Sequence, residues 1–64
     1  MNVLNKYSFT IKLIDRIRSK KYTETIIIDS YGTAKEAEKT AINTVLDTYK
    51  LDYSSLVEVK QNNI

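Results

Sequence analysis

The segment from Thr33 to Leu51 constrains the fold most, because it is the only part of the chain with a helical period of apolar residues. Thr33 and Glu36 form a T-x-x-E capping box, which predicts that a helix begins here. At ~100° per residue, one side of this helix carries most of the apolar side chains, namely Ala34, Ala37, Ala41, Ile42, Val45, Leu46 and Tyr49. Such a helix, expected at about residues 33–50, needs a sheet to cover.

The segments on either side of the helix have the alternating pattern of half-buried strands. A first strand is expected at about residues 7–17, where Tyr7, Phe9, Ile11 and Leu13 share one face. A second is expected at about residues 21–29, with Ile26 and Ile28 on one face and Ile27 on the other. A third is expected at about residues 56–61, with Val57 and Val59 pointing inward.

This order of elements predicts an α+β fold, a single ββαβ domain over residues 1–64. A helix that joins two parallel strands of one sheet makes a right-handed crossover. The third strand then lies beside the first, giving a three-stranded antiparallel or mixed sheet in the order 2-1-3, with the third strand antiparallel to the first and parallel to the second. One helix covers one face of this sheet and leaves the other face open.

The first two strands are expected to form a hairpin, but burial alone leaves two registers open. A turn at residues 18–21 places Leu13 opposite Ile26 and Asp15 opposite Glu24. A turn at residues 17–20 places Asp15 opposite Tyr22 and keeps the same side chains on the core face. A tight two-residue turn is not expected, because no Asn-Gly or Asp-Gly occurs at the tip.

Composition argues against an enzyme. The chain has no histidine and no cysteine, which removes the commonest general base, the usual zinc ligands and disulfides together. We therefore expect no catalytic residues, no metal and no cofactor. A single core in 64 residues supplies only ~3–5 kcal/mol of stability, so a homodimer is a plausible way to bury more surface.

The end of the hairpin is basic, although the formal net charge of the chain is only +2. A nucleic acid or an acidic protein surface is the partner expected for the side chains there, which are Arg16, Arg18, Lys20, Lys21 and Tyr22. Tyr22 would serve for stacking on a base. The alternative is a solvated hairpin tip, since lysine and arginine are common at exposed turns.

The uncovered sheet face is the second candidate surface. Its predicted partner-binding residues are Lys12, Ile14, Thr23, Thr25 and Ile27. In the first of the two registers, Ile14 and Ile27 would be neighbours and would form an apolar patch on this face. The two outer strands also lack proline, so their free edges are templates for strand addition.

The hairpin followed by SYGTAKEAEKTA and a short last strand resembles small accessory proteins of bacteriophages, including antitoxins and anti-restriction or anti-CRISPR inhibitors. The same element order is similar to a small archaeal ribosomal protein, whose basic motif after the helix is replaced here by YKLDY. The phage resemblance implies a non-enzymatic inhibitor of a host defence protein. Its partner would be a larger host protein or ribonucleoprotein, with nucleic-acid binding as the alternative. No secretory signal or membrane span is evident, so a cytoplasmic location is expected.

Overall fold

The computed structural model describes residues 3–63, which form two long strands, one helix and a short last strand. The strands are β1 (Asn5–Asp15), β2 (Lys20–Ser30) and β3 (Leu56–Asn62), and the helix is α1 (Ala34–Tyr49). A single 3₁₀ turn, Tyr53–Ser55, precedes β3. Both strands of the hairpin, β1 and β2, differ by a residue or two at each end from their predicted bounds. The predicted single domain also includes residues 1, 2 and 64, which lie outside the described residues.

The sheet has the order β2-β1-β3, and β1 runs antiparallel to both of its neighbours. This confirms the predicted α+β fold and its strand order. The helix returns the chain from the end of β2 to the hairpin tip, where β3 begins. All of α1 lies on one face of the sheet, and the opposite face, called the open face below, carries no element of the described chain.

The core lies between the central strand and the helix. Phe9, Ile11 and Leu13 of β1 are at most 1 % exposed. They pack against the apolar side of α1, whose buried residues are Ala37, Ala41, Ile42, Val45 and Leu46. Burying each large side chain of β1 contributes ~1.5–3 kcal/mol, so these three residues are the main source of stability.

The start of the helix is fixed by Thr33, as the capping box predicts. Its hydroxyl accepts a hydrogen bond from the Glu36 backbone N–H at 3.2 Å and lies 3.5 Å from the Glu36 carboxylate. Gly32 does not adopt a positive φ. A Cβ at this position would instead meet the Glu36 carboxylate at 2.5 Å, so glycine leaves room for the capping side chain. The Tyr7 hydroxyl donates to the Gly32 carbonyl and ties this junction to β1.

Both predicted hairpin registers are wrong. In the structure Leu13 lies opposite Tyr22, Phe9 opposite Ile26, and Asp15 opposite Lys20. The predicted core face is kept, because the difference from each predicted register is an even number of residues. The turn comprises residues 16–19, so β1 ends at Asp15 and not at about residue 17.

Asp15 is the physical reason for this earlier turn. Its side chain is only 6 % exposed, and its Oδ1 accepts the backbone N–H groups of Ile17 and Arg18, each at 3.1 Å. An aspartate that bonds the backbone two and three residues ahead initiates a turn. Ser19 completes the reversal in the left-handed region, with φ of 54°.

Val57 was predicted to point inward, and this is also wrong. The β1–β3 register shifts between Lys12 and Leu13, so that Lys12 faces Glu58 while Leu13 faces Leu56. The extra residue on β3 is Val57, which is 61 % exposed. Leu56 takes its place against the core. A bulge of this kind re-aims one side chain without changing the strand order.

We predict that Ala41→Asp unfolds the domain. Ala41 is fully buried against the sheet, and an unpaired carboxylate there costs more than the few kcal/mol that hold so small a domain together. Asn43→Asp is the matched control, because Asn43 is on the exposed side of the same helix. Circular dichroism and urea unfolding check this prediction. A cooperatively folded Ala41→Asp protein would contradict the packing of α1 on β1.

Candidate interaction surface

The hairpin tip presents an isoleucine to solvent. Ile17 is 97 % exposed at the centre of the turn that Asp15 holds. The Arg16 guanidinium donates to the Ser54 carbonyl at 3.0 Å, which ties the tip to the connector before β3. Arg18 approaches the Asp15 carboxylate at 3.8 Å. Two of the predicted basic residues are therefore engaged within the chain.

The connector that Arg16 reaches is itself ordered by an acid. The Asp52 carboxylate accepts hydrogen bonds from the Ser54 hydroxyl at 2.5 Å and from the Ser54 N–H at 3.0 Å. These bonds lower the pKa of Asp52 below its ordinary value of 3.8, because they favour the charged carboxylate. The tip and the start of β3 thus form one continuous hydrogen-bonded end of the molecule.

The other two predicted basic residues, Lys20 and Lys21, are exposed at the start of β2. Lys21 lies opposite Ile14 and belongs to the open face, whereas Lys20 lies opposite Asp15. The basic charge of the hairpin is thus divided between the tip and the open face.

Tyr22 lies on the helix-covered face, away from Lys21. Its ring stacks on Tyr49 with ring centroids 4.2 Å apart and planes inclined by 26°. The Tyr49 hydroxyl donates a hydrogen bond to the Glu24 carboxylate. A nucleobase could therefore stack on this face of Tyr22 only by displacing Tyr49.

The middle of the open face is a polar network. The Asn62 amide donates to Ser8 at 3.3 Å and to Thr10 at 2.9 Å, and the Thr10 and Thr25 hydroxyls are 3.3 Å apart. Lys12 pairs with Glu58 across β1 and β3 at 3.3 Å. These side chains satisfy one another, so the centre of the face offers little apolar area to a partner.

A groove of about 470 Å³ lies beside this network, towards the hairpin tip. Ile14 and Val57 supply its apolar side chains, and Lys12, Lys21 and Thr23 also line it. Three of the five predicted partner-binding residues, Lys12, Ile14 and Thr23, are therefore brought together here. Val57 joins them because the bulge in β3 turns it outward.

Thr25 and Ile27, the remaining predicted partner-binding residues, lie farther along the sheet. Ile27 is opposite Ser8, six residues along β1 from Ile14. At ~3.4 Å per residue the two isoleucines are about 20 Å apart, so the predicted Ile14–Ile27 patch is wrong. It depended on the incorrect hairpin register. Ile27 is instead an isolated exposed side chain, 58 % accessible.

Two exposed apolar residues of this end were missed as candidates from sequence. Val57 fits a strand alternation that points inward, and no glycine marks the bulge. Ile17 continues the apolar residues of the first strand, so it reads as part of that strand. The sequence signal that could have placed Ile17 in the turn was Asp15, because an aspartate tends to initiate a turn and here ends β1 two residues before Ile17.

We predict that Asp15→Ala lowers the free energy of unfolding by about 1–2 kcal/mol, because two turn N–H groups lose their acceptor. Asp15→Asn keeps Oδ1 in place and should lose distinctly less. Urea unfolding of both variants at neutral pH makes the comparison. Equal losses in the two variants would show that the charge of Asp15, and not its role in the turn, is what matters.

A second prediction concerns Tyr49. Its hydrogen bond to Glu24, followed by desolvation, raises the pKa of Tyr49 above its ordinary value of 10.0. The neutral phenol is then favoured by folding. This contribution is complete below about pH 10 and is lost as the pH rises through the folded-state pKa.

Tyr49→Phe should therefore be less stable than the parent at about pH 8, and the difference should shrink above about pH 10. Tyr31→Phe is the control, because Tyr31 is 66 % exposed. Urea unfolding across this pH range provides the measurement. A difference between the parent and Tyr49→Phe that stayed constant to high pH would argue against the Glu24 hydrogen bond.

Comparison of the chain with protein-family models, with curated protein sequences and with solved structures found no match. None of the helices in residues 3–63 is long and apolar enough to cross a membrane. Within the same residues, no three acidic side chains come close enough together to hold a metal ion. The groove and the hairpin tip are therefore the features from which a function can be inferred.

Proposed function

We propose that the protein is a small non-enzymatic binding protein that contacts a larger protein through the groove between Ile14 and Val57. One observation carries the proposal: two β-branched apolar side chains are brought together on a sheet face that is otherwise polar apart from the isolated Ile27. Val57 is 61 % exposed only because the bulge turns it away from the core. A strand that simply continued its alternation would have buried this side chain.

The chemistry of the rim suggests the nature of the partner. Lys21 and Lys12 border the groove, and the exposed Ile17 lies beyond it at the tip. The aliphatic stems of Lys21 and Lys12 extend the apolar area around the groove, while the amines of these two lysines stay in water. The matching surface is an apolar side chain of another protein, surrounded by carboxylates.

Asp15 and Glu24, the two acids of the hairpin nearest its tip, both have structural roles. Asp15 holds the turn, and Glu24 accepts the Tyr49 hydroxyl on the helix-covered face. Asp15 lies opposite Lys20 and Glu24 lies opposite Ile11, so the two carboxylates do not form a pair. This supports a binding role over an enzymatic one.

A protein partner is favoured over a nucleic acid for two reasons. Arg16 and Arg18 are engaged with Ser54 and Asp15, which leaves fewer free cations for phosphates. Tyr22, the predicted stacking residue, is covered by Tyr49. Lys20 and Lys21 remain exposed, and they suit carboxylates as well as phosphates.

The finer form of the proposal concerns the biological role. The resemblance to small phage accessory proteins suggests that the partner is a host defence protein, such as a CRISPR-associated effector, a restriction enzyme or a toxin. The protein would then act as an inhibitor in the host cytoplasm, by occupying a surface of that larger molecule.

We predict that Ile14→Thr combined with Val57→Thr weakens binding of the partner by about tenfold or more. Burying the two side chains contributes ~1.5–3 kcal/mol each, and threonine keeps the β-branched shape that suits a strand. Ile27→Thr is the matched control, because it makes the same change on the same face outside the groove. Its binding should match that of the parent.

The partner is first captured from a nuclease-treated lysate of the cell of origin and identified by mass spectrometry. Titration of the purified partner with each variant then gives the affinities. Equal affinities for the parent and the double variant would contradict the groove as the contact site. A ligand that is nucleic acid, with affinity that falls steeply as salt increases, would contradict the choice of a protein partner.

A further inference from the structure

The two outer edges of the sheet differ in how well they are protected. β3 is a seven-residue strand that contains the Val57 bulge and carries Glu58 and Lys60. Short length, bulges and charges are the features by which natural proteins block edge pairing. β2 has eleven residues in unbroken register with β1, and it contains no proline, glycine or bulge.

The middle of β2 is also low in charge. Glu24 is the only charged residue from Tyr22 to Ile28, and its carboxylate is turned towards the Tyr49 hydroxyl. None of the described residues pairs with the outer edge of β2, because β1 lies on its other side. This edge therefore presents a long row of unpaired backbone groups of strong β propensity.

We propose that two copies of the chain join through this edge, with β2 antiparallel to β2 of the partner subunit and Thr25 on the two-fold axis. The result is a continuous six-stranded sheet with both helices on one face. The β2 edge shares Lys21 and Thr23 with the lining of the groove, but dimerisation is measured on the chain alone, so its test is independent of the function proposed above.

Side-chain direction removes half of the conceivable registers. Even-numbered residues of β2 face α1 and odd-numbered residues belong to the open face, as their partners on β1 show. A continuous sheet requires each face to meet the same face of the other copy. Even residues must therefore lie opposite even residues. One residue at the centre of the pairing then lies opposite its own copy, and the two-fold axis passes between these two copies.

Charge selects Thr25 among the remaining centres. With Thr25 on the axis, Lys21 lies opposite the partner's Asp29, and Asp29 lies opposite the partner's Lys21. Lys21 and Asp29 are both exposed and both on the open face, so the two ion pairs form without burying a charge. Asp29 also contacts Lys6 of its own chain at 3.5 Å, so each carboxylate would lie between two lysines.

The neighbouring centres are less favourable. With Glu24 on the axis, its carboxylate lies directly opposite the partner's Glu24, which is a destabilising pair. With Ile26 on the axis, Asp29 lies opposite the partner's Thr23, and Lys21 loses its acidic partner. An axis at Tyr22 would pair Lys20 with Glu24 twice, but it leaves only residues 20–24 of each strand paired. The Thr25 centre pairs opposite charges twice, avoids a like-charge pair and keeps all eleven residues of β2 paired.

Charge reversal tests the proposal with matched variants. Lys21→Glu alone and Asp29→Lys alone each replace two attractive pairs by two repulsive pairs. Each should raise the dimer dissociation constant by about tenfold or more. The double variant restores opposite charges and should return to near the parent value. An equimolar mixture of the two single variants should form heterodimers, because each then supplies the charge that the other lacks.

Sedimentation velocity over a concentration series measures these constants, and circular dichroism establishes that each variant is folded. A parent that stays monomeric at all accessible concentrations overturns the proposal. So does a dimer that both single variants leave unchanged. A double variant that remains as weak as the singles also overturns it, since the pairing of Lys21 with Asp29 would then be absent.

Single cysteines test the register in a chain that has none of its own. Residues directly opposite in antiparallel strands have Cα atoms ~4.5–5.5 Å apart, within the range a disulfide spans. Thr25→Cys should therefore cross-link to a dimer under mild oxidation. Thr23→Cys and Ile27→Cys alone should not, because each is about 14 Å out of register with its own copy.

A mixture of Thr23→Cys and Ile27→Cys should cross-link, since these positions lie opposite each other when Thr25 is on the axis. Non-reducing gel electrophoresis of the oxidised proteins gives the result. Cross-linking by Thr23→Cys alone, or by Ile27→Cys alone, would place the axis elsewhere and overturn the proposed register. The cysteine variants also decide the matter should a charge variant fail to fold.

Discussion

The contact between the alanine side of α1 and the central strand is the interaction on which the rest of the structure depends. Ala37 and Ala41 are at most 1 % exposed, and their small side chains let the helix approach β1 closely. Phe9, Ile11 and Leu13 then fill the space on either side of this approach. In a chain without cysteine and therefore without disulfides, no other source of stability is of comparable size.

Because this core has only one sheet face and one helix, it leaves three surfaces for function. The centre of the open face is polar, with hydrogen bonds among Ser8, Thr10 and Asn62. The β3 edge is interrupted by its bulge, whereas the β2 edge is not. Val57, beside the half-buried Ile14, and Ile17 at the tip lie at the hairpin end, whereas Val3, Leu4 and Ile27 are exposed elsewhere.

The fold could be predicted from sequence because its main elements are encoded by period and by capping. Alternation along β1 and the Thr33 cap require only local residues, and strand order then follows from the crossover. The register of the hairpin could not be predicted, because any shift of one strand past the other by an even number of residues keeps the same side chains buried. Asp15 and Ser19 decide it through turn geometry, which the alternation of apolar residues along the strands does not encode.

The candidate site inherited this uncertainty directly. In the observed register Ile14 is far from Ile27. The apolar neighbour of Ile14 is instead Val57, which the bulge turns outward although its position in the sequence indicates burial. Of the predicted residues that line the groove, Lys12 and Ile14 lie on the same strand, and Thr23 joins them from β2 in a register that was not predicted. Neighbours along one strand are fixed by covalent geometry, whereas neighbours across strands depend on turns and bulges.

Lys21 connects the two proposed surfaces, since it borders the groove and also lies at the β2 edge. In the dimer its amine is drawn towards the partner's Asp29. The other groove lysine, Lys12, is already paired with Glu58. Dimerisation therefore reduces the positive potential that an acidic partner would meet at the groove. By linkage, an acidic partner that engages Lys21 must weaken the dimer by the same free energy, so the two associations oppose each other.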